Sequence, residues 1–339
     1  MAGNNAAENK ATDNNMVPVT ILTGFLGSGK TTLLNRILNE QHGRRIAVIE
    51  NEFGEAGVDN EILIRGGDEQ IIEMNNGCVC CTIRGDLMRI LGDLKDRRDA
   101  GAIGFDRVII ETTGMADPGP VAQTFFLDEA IGNYYLLDSV ITLVDAMHGE
   151  RQLDEFREAQ EQVGFADRIL LSKTDLVTED EAERLRRRLV HINPRAPIRN
   201  VHFGQMPIQE ILDIRGFNLT AVLEIDPEFL EEEEHEHAEQ VSSFVFRSER
   251  PFDGVRLEEF LSWLIQVHGK DMLRYKGVVY LKDNAHRVVF QGVHMLMGGD
   301  LGKAWGKEER RQSTLVFIGR KLPEDVFIKG LEQCLVQPQ

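Results

Sequence analysis

Gly24-Phe25-Leu26-Gly27-Ser28-Gly29-Lys30-Thr31-Thr32 follows an apolar run, Val17 to Thr23, and opens a stretch, Thr31 to Gln41, with leucines on one helical face. A Gly-x-x-x-x-Gly-Lys-Thr pattern between strand and helix is a phosphate-binding loop. Its backbone N–H groups turn inward on phosphate oxygens, and the helix N-terminus adds a favourable dipole. In this pattern Lys30 reaches the β and γ phosphates and the Thr31 hydroxyl ligates Mg²⁺. With glycine at about 7% of residues, chance yields the pattern in about one chain of this length in a hundred, so a plain glycine turn is the weaker alternative.

Outward from the loop, short apolar runs alternate with amphipathic ones. Strands are expected at Arg45 to Glu50, Gln70 to Met74, Arg107 to Glu111, Leu137 to Val144, Arg168 to Ser172 and Ile198 to Val201. Helices are expected at Thr82 to Arg97, Pro118 to Leu127, Arg151 to Val163 and Glu179 to Ile192. The alternation predicts an α/β fold, a doubly wound, mainly parallel sheet whose ligands bind at the carboxyl ends of its strands. After it, Glu231-Glu232-Glu233-Glu234-His235-Glu236-His237 is too polar to bury and reads as a solvated linker, with transient metal collection by His235 and His237 the weaker alternative. Beyond it, Val241 to Arg247, Tyr275 to Leu281, Arg287 to Met297 and Ser313 to Arg320 read as strands, and Val255 to His268 and Pro323 to Cys334 as helices. The expected organisation is a tail over 1–15, a phosphate-loop domain over 16–225, an acidic linker over 226–240 and a smaller α+β domain over 241–339.

Composition narrows the partners. The chain has 339 residues, 42% hydrophobic and 28% charged, with a formal charge of -18, so clustered cationic surface for nucleic acid or anionic lipid is not expected. No apolar run approaches the roughly 20 residues of a membrane span, and the first fifteen residues lack the apolar core of a secretory signal. A cytoplasmic setting with reduced thiols follows as the expectation. Arg186-Arg187-Arg188, preceded by Glu179 to Glu183 on one helix, suits the helix dipole better than a nucleic-acid surface.

Two further motifs carry chemistry. Ser172-Lys173-Thr174-Asp175 ends a buried strand, where a nucleotide base would reach. Asp175 can accept from the N1–H and exocyclic amine of guanine, which adenine lacks in the same place, and the Lys173 stem can lie over the base. Asp175 thereby disfavours the alternative of an ATP-dependent small-molecule kinase. Cys78-Val79-Cys80-Cys81 crowds three of the four cysteines into one stretch, a metal-ligand pattern that differs from the Cys-x-x-Cys of redox sites. In an extended stretch Cys78 and Cys80 share a face while Cys81 points away, though a turn brings it in. Zinc takes four ligands, so at least one more donor is needed. Glu50 and Glu55 flank a bend at Gly54 and are candidates. Cys334, alone near the C-terminus, is expected as a small buried apolar residue.

Gly24 to Thr32, Ile49-Glu50-Asn51-Glu52-Phe53-Gly54-Glu55, Gly77 to Cys81, Glu111-Thr112-Thr113-Gly114 and Ser172 to Asp175 together resemble the signature series of the CobW/YjiA family of metal-associated GTPases, nearest its YjiA branch. The resemblance continues through Met115 to Pro120, Leu273 to Gly277 and Phe290 to Val293, nearly the whole chain. It implies slow hydrolysis of GTP to GDP coupled to zinc, or to cobalt or nickel, and metallochaperone service to a client metalloprotein. Guanine-selective G proteins usually carry Asn where Ser172 stands. The resemblance supports Glu50 and Glu55 as ligands beside Cys80. Glu111 ends the strand expected beside the loop strand, a place from which it holds Mg²⁺ through water. Glu52 and Asp117 are both candidates to orient the attacking water, and the sequence does not choose between them. A metal buffer or sensor with a nucleotide-stabilised fold is the competing function, and a homo-oligomer is compatible with either.

Overall fold

The structure is a computed structural model that describes residues 16–40, 43–51, 62–65, 83–216, 240–306 and 308–337; for 50–51, 62–65 and 83–84 it describes the backbone alone. The expected tail and most of the expected linker, the strand at Gln70 to Met74 and the cysteine triplet lie outside the described residues.

Among the described residues, seven strands form the first sheet: β1 (Val17–Gly24), β2 (Ile46–Asn51), β3 (Ile62–Arg65), β4 (Arg107–Thr112), β5 (Tyr135–Asp145), β6 (Arg168–Ser172) and β7 (Ile198–Val201). Their order is β3-β2-β4-β1-β5-β6-β7, and every neighbouring pair is parallel except β2 with β3. The helices are α1 (Lys30–Asn39), α2 (Ile83–Asp99), α3 (Gly119–Leu127), α4 (Glu129–Gly132), α5 (Gly149–Glu155), α6 (Arg157–Phe165) and α7 (Glu179–Ile192). Alternate residues of a strand face opposite sides, and the cores divide accordingly. Ile21 packs with Leu91, Val121 and Phe165 on one face, while its neighbour Leu22 packs with Leu33, Leu34 and Ile37 of α1 on the other. Both faces are therefore covered, the doubly wound arrangement that the alternation predicts.

The second sheet is antiparallel throughout, in the order β11-β10-β9-β12-β8, from β8 (Val241–Ser248), β9 (Met272–Val279), β10 (His286–Val293), β11 (Leu296–Ala304) and β12 (Ser313–Arg320). Helices α8 (Gly254–His268) and α9 (Glu324–Gln333) cover one face through Leu261, Leu264, Phe327 and Leu331. Cys334 is buried there, as expected, and burial pushes its thiol up from its ordinary range. The opposite face, through Val241, Leu273, Val293, Val316 and Ile318, joins the core of the first sheet.

Two expected elements are divided. Arg151 to Val163 is two helices, because Phe156 is extended (φ -125°, ψ 118°) and places its ring 4.7 Å from that of Phe25 in the phosphate loop. The break lets α6 turn between the two sheets, where it is buried from Ala159 to Phe165. Arg287 to Met297 is a hairpin, folding back at His294, whose φ of 51° is the left-handed value that tight hairpin turns require. With neither Asn-Gly nor Asp-Gly in that run, the turn carries no sequence signal. Strand β3 was not among the expected elements.

Candidate functional site

The carboxyl ends of β1, β4, β5 and β6 bring the motifs together. In the register, Leu22 lies opposite Glu111, and Gly24 opposite Leu143 of β5. Gly24 has a φ of +139°, and a Cβ on it would stand 2.4 Å from Leu143 O, so only glycine lets the chain leave β1 there. Thr112 Oγ1 donates to Thr23 Oγ1 at 2.9 Å, which ties the end of β4 to the start of the loop.

Lys30 is buried beneath the loop, and its Nζ donates to Gly24 O at 2.8 Å and Phe25 O at 3.3 Å. Two of its three protons thus fix the side chain, and the third, with no partner among the described residues, can reach a phosphate oxygen. Burial lowers the Lys30 pKa, and the charge of Glu111 opposes that shift. Thr31 Oγ1 donates to Glu111 Oε1 at 3.1 Å, so the two expected Mg²⁺-side residues meet. Ser28, Gly27, Gly29, Leu26 and Thr32 complete the loop and the first turn of α1, and the Ser28 hydroxyl is buried with no partner among the described residues. Gly114 lies against the loop: a Cβ on it would come within 2.7 Å of Leu26 N.

At the end of β6, Ser172 Oγ donates to Ser28 O at 2.8 Å and to Val144 O at 3.2 Å. The serine thereby ties the base motif to the phosphate loop. Lys173 follows in left-handed conformation (φ 57°), and its Nζ lies 2.6 Å from Asp145 Oδ2 at the end of β5. A cation so anchored has its methylene stem fixed, as stacking on a base requires. Asp175 lies in a short 3₁₀ turn, Thr174–Leu176, with Oδ1 3.3 Å from His202 Nδ1. Asp145 was not among the expected site residues, although an acid closing the buried run of β5 is a visible signal.

The metal-ligand candidates are placed only in part. Glu50 is described by its backbone, directly opposite Glu111 in the β2–β4 register. Glu55, Cys78, Cys80 and Cys81 lie outside the described residues, as does Glu52. Among the described residues there is no group of three or more His, Cys, Asp or Glu that would hold a metal ion. Asp117, the other candidate for orienting water, accepts from Gly119 N at 2.8 Å and has Oδ2 3.7 Å from Arg320 Nη2, so its carboxylate is engaged toward the second sheet. No described helix is long and apolar enough to cross a membrane.

Comparison with known proteins covers both sheets. Residues 18–200 match the CobW/HypB/UreG nucleotide-binding domain, and residues 241–335 match the cobalamin synthesis protein CobW C-terminal domain. The chain is 46% identical to the zinc chaperone YjiA of Escherichia coli, covering 92% of this chain and 96% of that one. It is 34% identical to the zinc chaperone CobW of Pseudomonas aeruginosa, covering 94% and 92% respectively. It is 32% identical to zinc-regulated GTPase metalloprotein activator 1 of Schizosaccharomyces pombe, covering 82% and 75%. The crystal structure of Zn(II)-bound YjiA GTPase from E. coli superposes with a TM-score of 0.79 at 43% identity, over 95% of this chain and all of that one. With the phosphate loop, the Glu111 strand and the base motif gathered at one sheet edge, and a family match over more than half its length, the chain belongs to the CobW/HypB/UreG family.

Proposed function

We propose that this protein is a GTPase that binds zinc, or a similar transition metal, and couples GTP hydrolysis to transfer of the metal to a client metalloprotein. The observation that carries the hydrolase reading is the meeting of Thr31 and Glu111 at the exit of the phosphate loop. The site fits a nucleotide, with a loop whose first glycine admits no side chain, a buried lysine beneath it and a base motif tethered to it. It also fits Mg²⁺, for a hydroxyl and a carboxylate are the hard oxygen donors that ion takes, directly or through water. When bound, Mg²⁺ supplies neutralisation of charge that develops on the β and γ phosphate oxygens. Lys30 holds the same oxygens, and Asp175 with the anchored Lys173 selects guanine.

Zinc is the cargo in this reading, held by Glu50, Glu55, Cys78, Cys80 and Cys81, an assignment supported by the sequence pattern and by the zinc-named relatives. Backbone register supports coupling, since Glu50 sits one strand away from Glu111, directly opposite it. A shift at the Mg²⁺ side of the phosphate loop then bears on the first metal ligand. By linkage, GTP and zinc tighten each other's binding by one common factor. The test is zinc affinity measured with GDP and with a nonhydrolysable GTP analogue, in the wild type and in Cys80→Ala. Equal affinity with both nucleotides removes the coupling, and unchanged affinity in Cys80→Ala removes the ligand assignment. Lys30→Ala should abolish GTP turnover; retained turnover would place the chemistry elsewhere. Repeated turnover separates this function from a metal buffer, and a cytoplasmic setting keeps the thiolates reduced.

A further inference from the structure

Helix α6 is buried, yet it carries Gln160, Glu161 and Gln162 in succession. Buried polar side chains are costly unless paired, so a helix between two sheets would ordinarily be apolar here. Neighbouring helical residues point about 100° apart, and these three reach three different places. Gln160 Oε1 accepts from Gln240 N and Val241 N, both at 2.9 Å, where the second sheet begins. Glu161 Oε1 accepts from Arg157 Nε on its own helix and from Arg320 Nε at the end of β12. Gln162 Nε2 donates to Gly114 O at 3.2 Å and to Ala116 O at 3.0 Å.

The last contact bears on chemistry. Thr113 to Ala116 is a turn closed by Ala116 N donating to Thr113 O at 3.1 Å, and Gly114 within it lies against Leu26 of the phosphate loop. The turn follows Glu111, whose carboxylate meets Thr31. Glu111 and Gly114 therefore flank the loop that takes the β and γ phosphates. At the far end of the same segment, Asp117 faces Arg320, and a Cβ on Gly119 would stand 2.7 Å from His294 Nε2 of the second sheet. The segment is thus held in its middle by α6 and at its end by the second sheet.

We infer that Gln162 is a positioning residue for GTP hydrolysis, fixing the Thr113–Ala116 turn against the phosphate loop, and that Glu161 with Arg320 makes the C-terminal sheet part of that support. The inference rests on the GTPase reading above. GDP lacks the γ phosphate, so a displaced turn alters hydrolysis while leaving GDP binding intact. A general loosening of the fold affects both.

The experiment uses the full chain with Mg²⁺. Wild type and Lys30→Ala are assayed first for GTP turnover, and their result bears on the GTPase reading alone. Gln162→Met keeps the volume and removes both donations; its kcat should fall about tenfold with GDP affinity unchanged within about twofold, the scale of a small misplacement near the reacting atoms. Arg320→Met, which cuts the tie from the second sheet, should lower kcat in the same direction by about threefold, again with GDP affinity unchanged. A kcat in Gln162→Met within about twofold of wild type overturns the inference, as does a parallel loss of GDP affinity. If Gln162→Met does not fold, Arg320→Met decides, and an unchanged kcat there overturns it.

Discussion

A serine hydroxyl has a single proton, and Ser172 divides it between the carbonyls of Ser28 and Val144. It supplies the tie between base motif and phosphate loop with a shorter side chain than the usual Asn, whose additional amide proton it lacks. Ser172→Ala should cost about 1 kcal/mol of stability, because one buried tie is lost. It should weaken GTP and GDP binding by a similar factor, since the tie acts on the base and loop and not on the γ phosphate. Parallel titrations of both nucleotides check this, and a loss confined to GTP would contradict it. At this scale much of the candidate site was legible. Lys30, Thr31, Glu111, Lys173 and Asp175 follow from motif spacing and strand ends, and the structure brings Thr31 to Glu111 and Ser172 to the phosphate loop. Asp145 and Gln162 were not, because each acts on a partner from another element that no local pattern announces.

Among the elements, α7 announces itself. Thr178 and Glu181 form a reciprocal capping box: the Thr178 hydroxyl accepts from Glu181 N, and the Glu181 carboxylate accepts from Thr178 N. The hydrogen bonds from Thr178 hold the Glu181 carboxyl below its usual range. Further along, Arg188 is buried against Glu150 and Asp154, so part of the arginine run packs α7 onto α5. Because α7 begins just after the base motif, its cap fixes where that segment leaves. Thr178→Ala should lower stability by about 1 kcal/mol without changing the preference for GTP over ATP, as read by chemical denaturation and competition binding. The α5–α6 break was illegible for the opposite reason. Periodicity runs on through Phe156, and what interrupts it is packing against Phe25 and the space between two sheets, which is tertiary information.

Across the whole molecule, the two sheets share a core. Val241, Leu273, Val293, Val316 and Ile318 belong to the same apolar cluster as β1, α2 and α6, although the chain reads as two domains. Beside it, Arg274 of β9 donates to Asp167 before β6 in two parallel bonds, Nη1 to Oδ2 at 3.0 Å and Nη2 to Oδ1 at 2.7 Å, and also to Phe165 O. Arg195 is buried close by; burial and the Arg274 charge hold its guanidinium below the ordinary range, while Asp167 opposes that shift. One carboxylate thus compensates Arg274 of the second sheet and Arg195 of the turn before β7, and removing it leaves charge buried without its counterion. Asp167→Asn should cost about 3–5 kcal/mol, a large share of the roughly 5–15 kcal/mol that holds a folded chain. A core shared by both sheets predicts that they unfold together, so calorimetry should show a single transition for the wild type, displaced to lower temperature in Asp167→Asn. Adding Arg274→Met to Asp167→Asn should restore part of the loss, since an apolar side chain of similar volume needs no counterion. Two separate wild-type transitions would mean that the sheets fold independently, and no recovery in the double variant would mean that the Arg274 charge is not what Asp167 compensates.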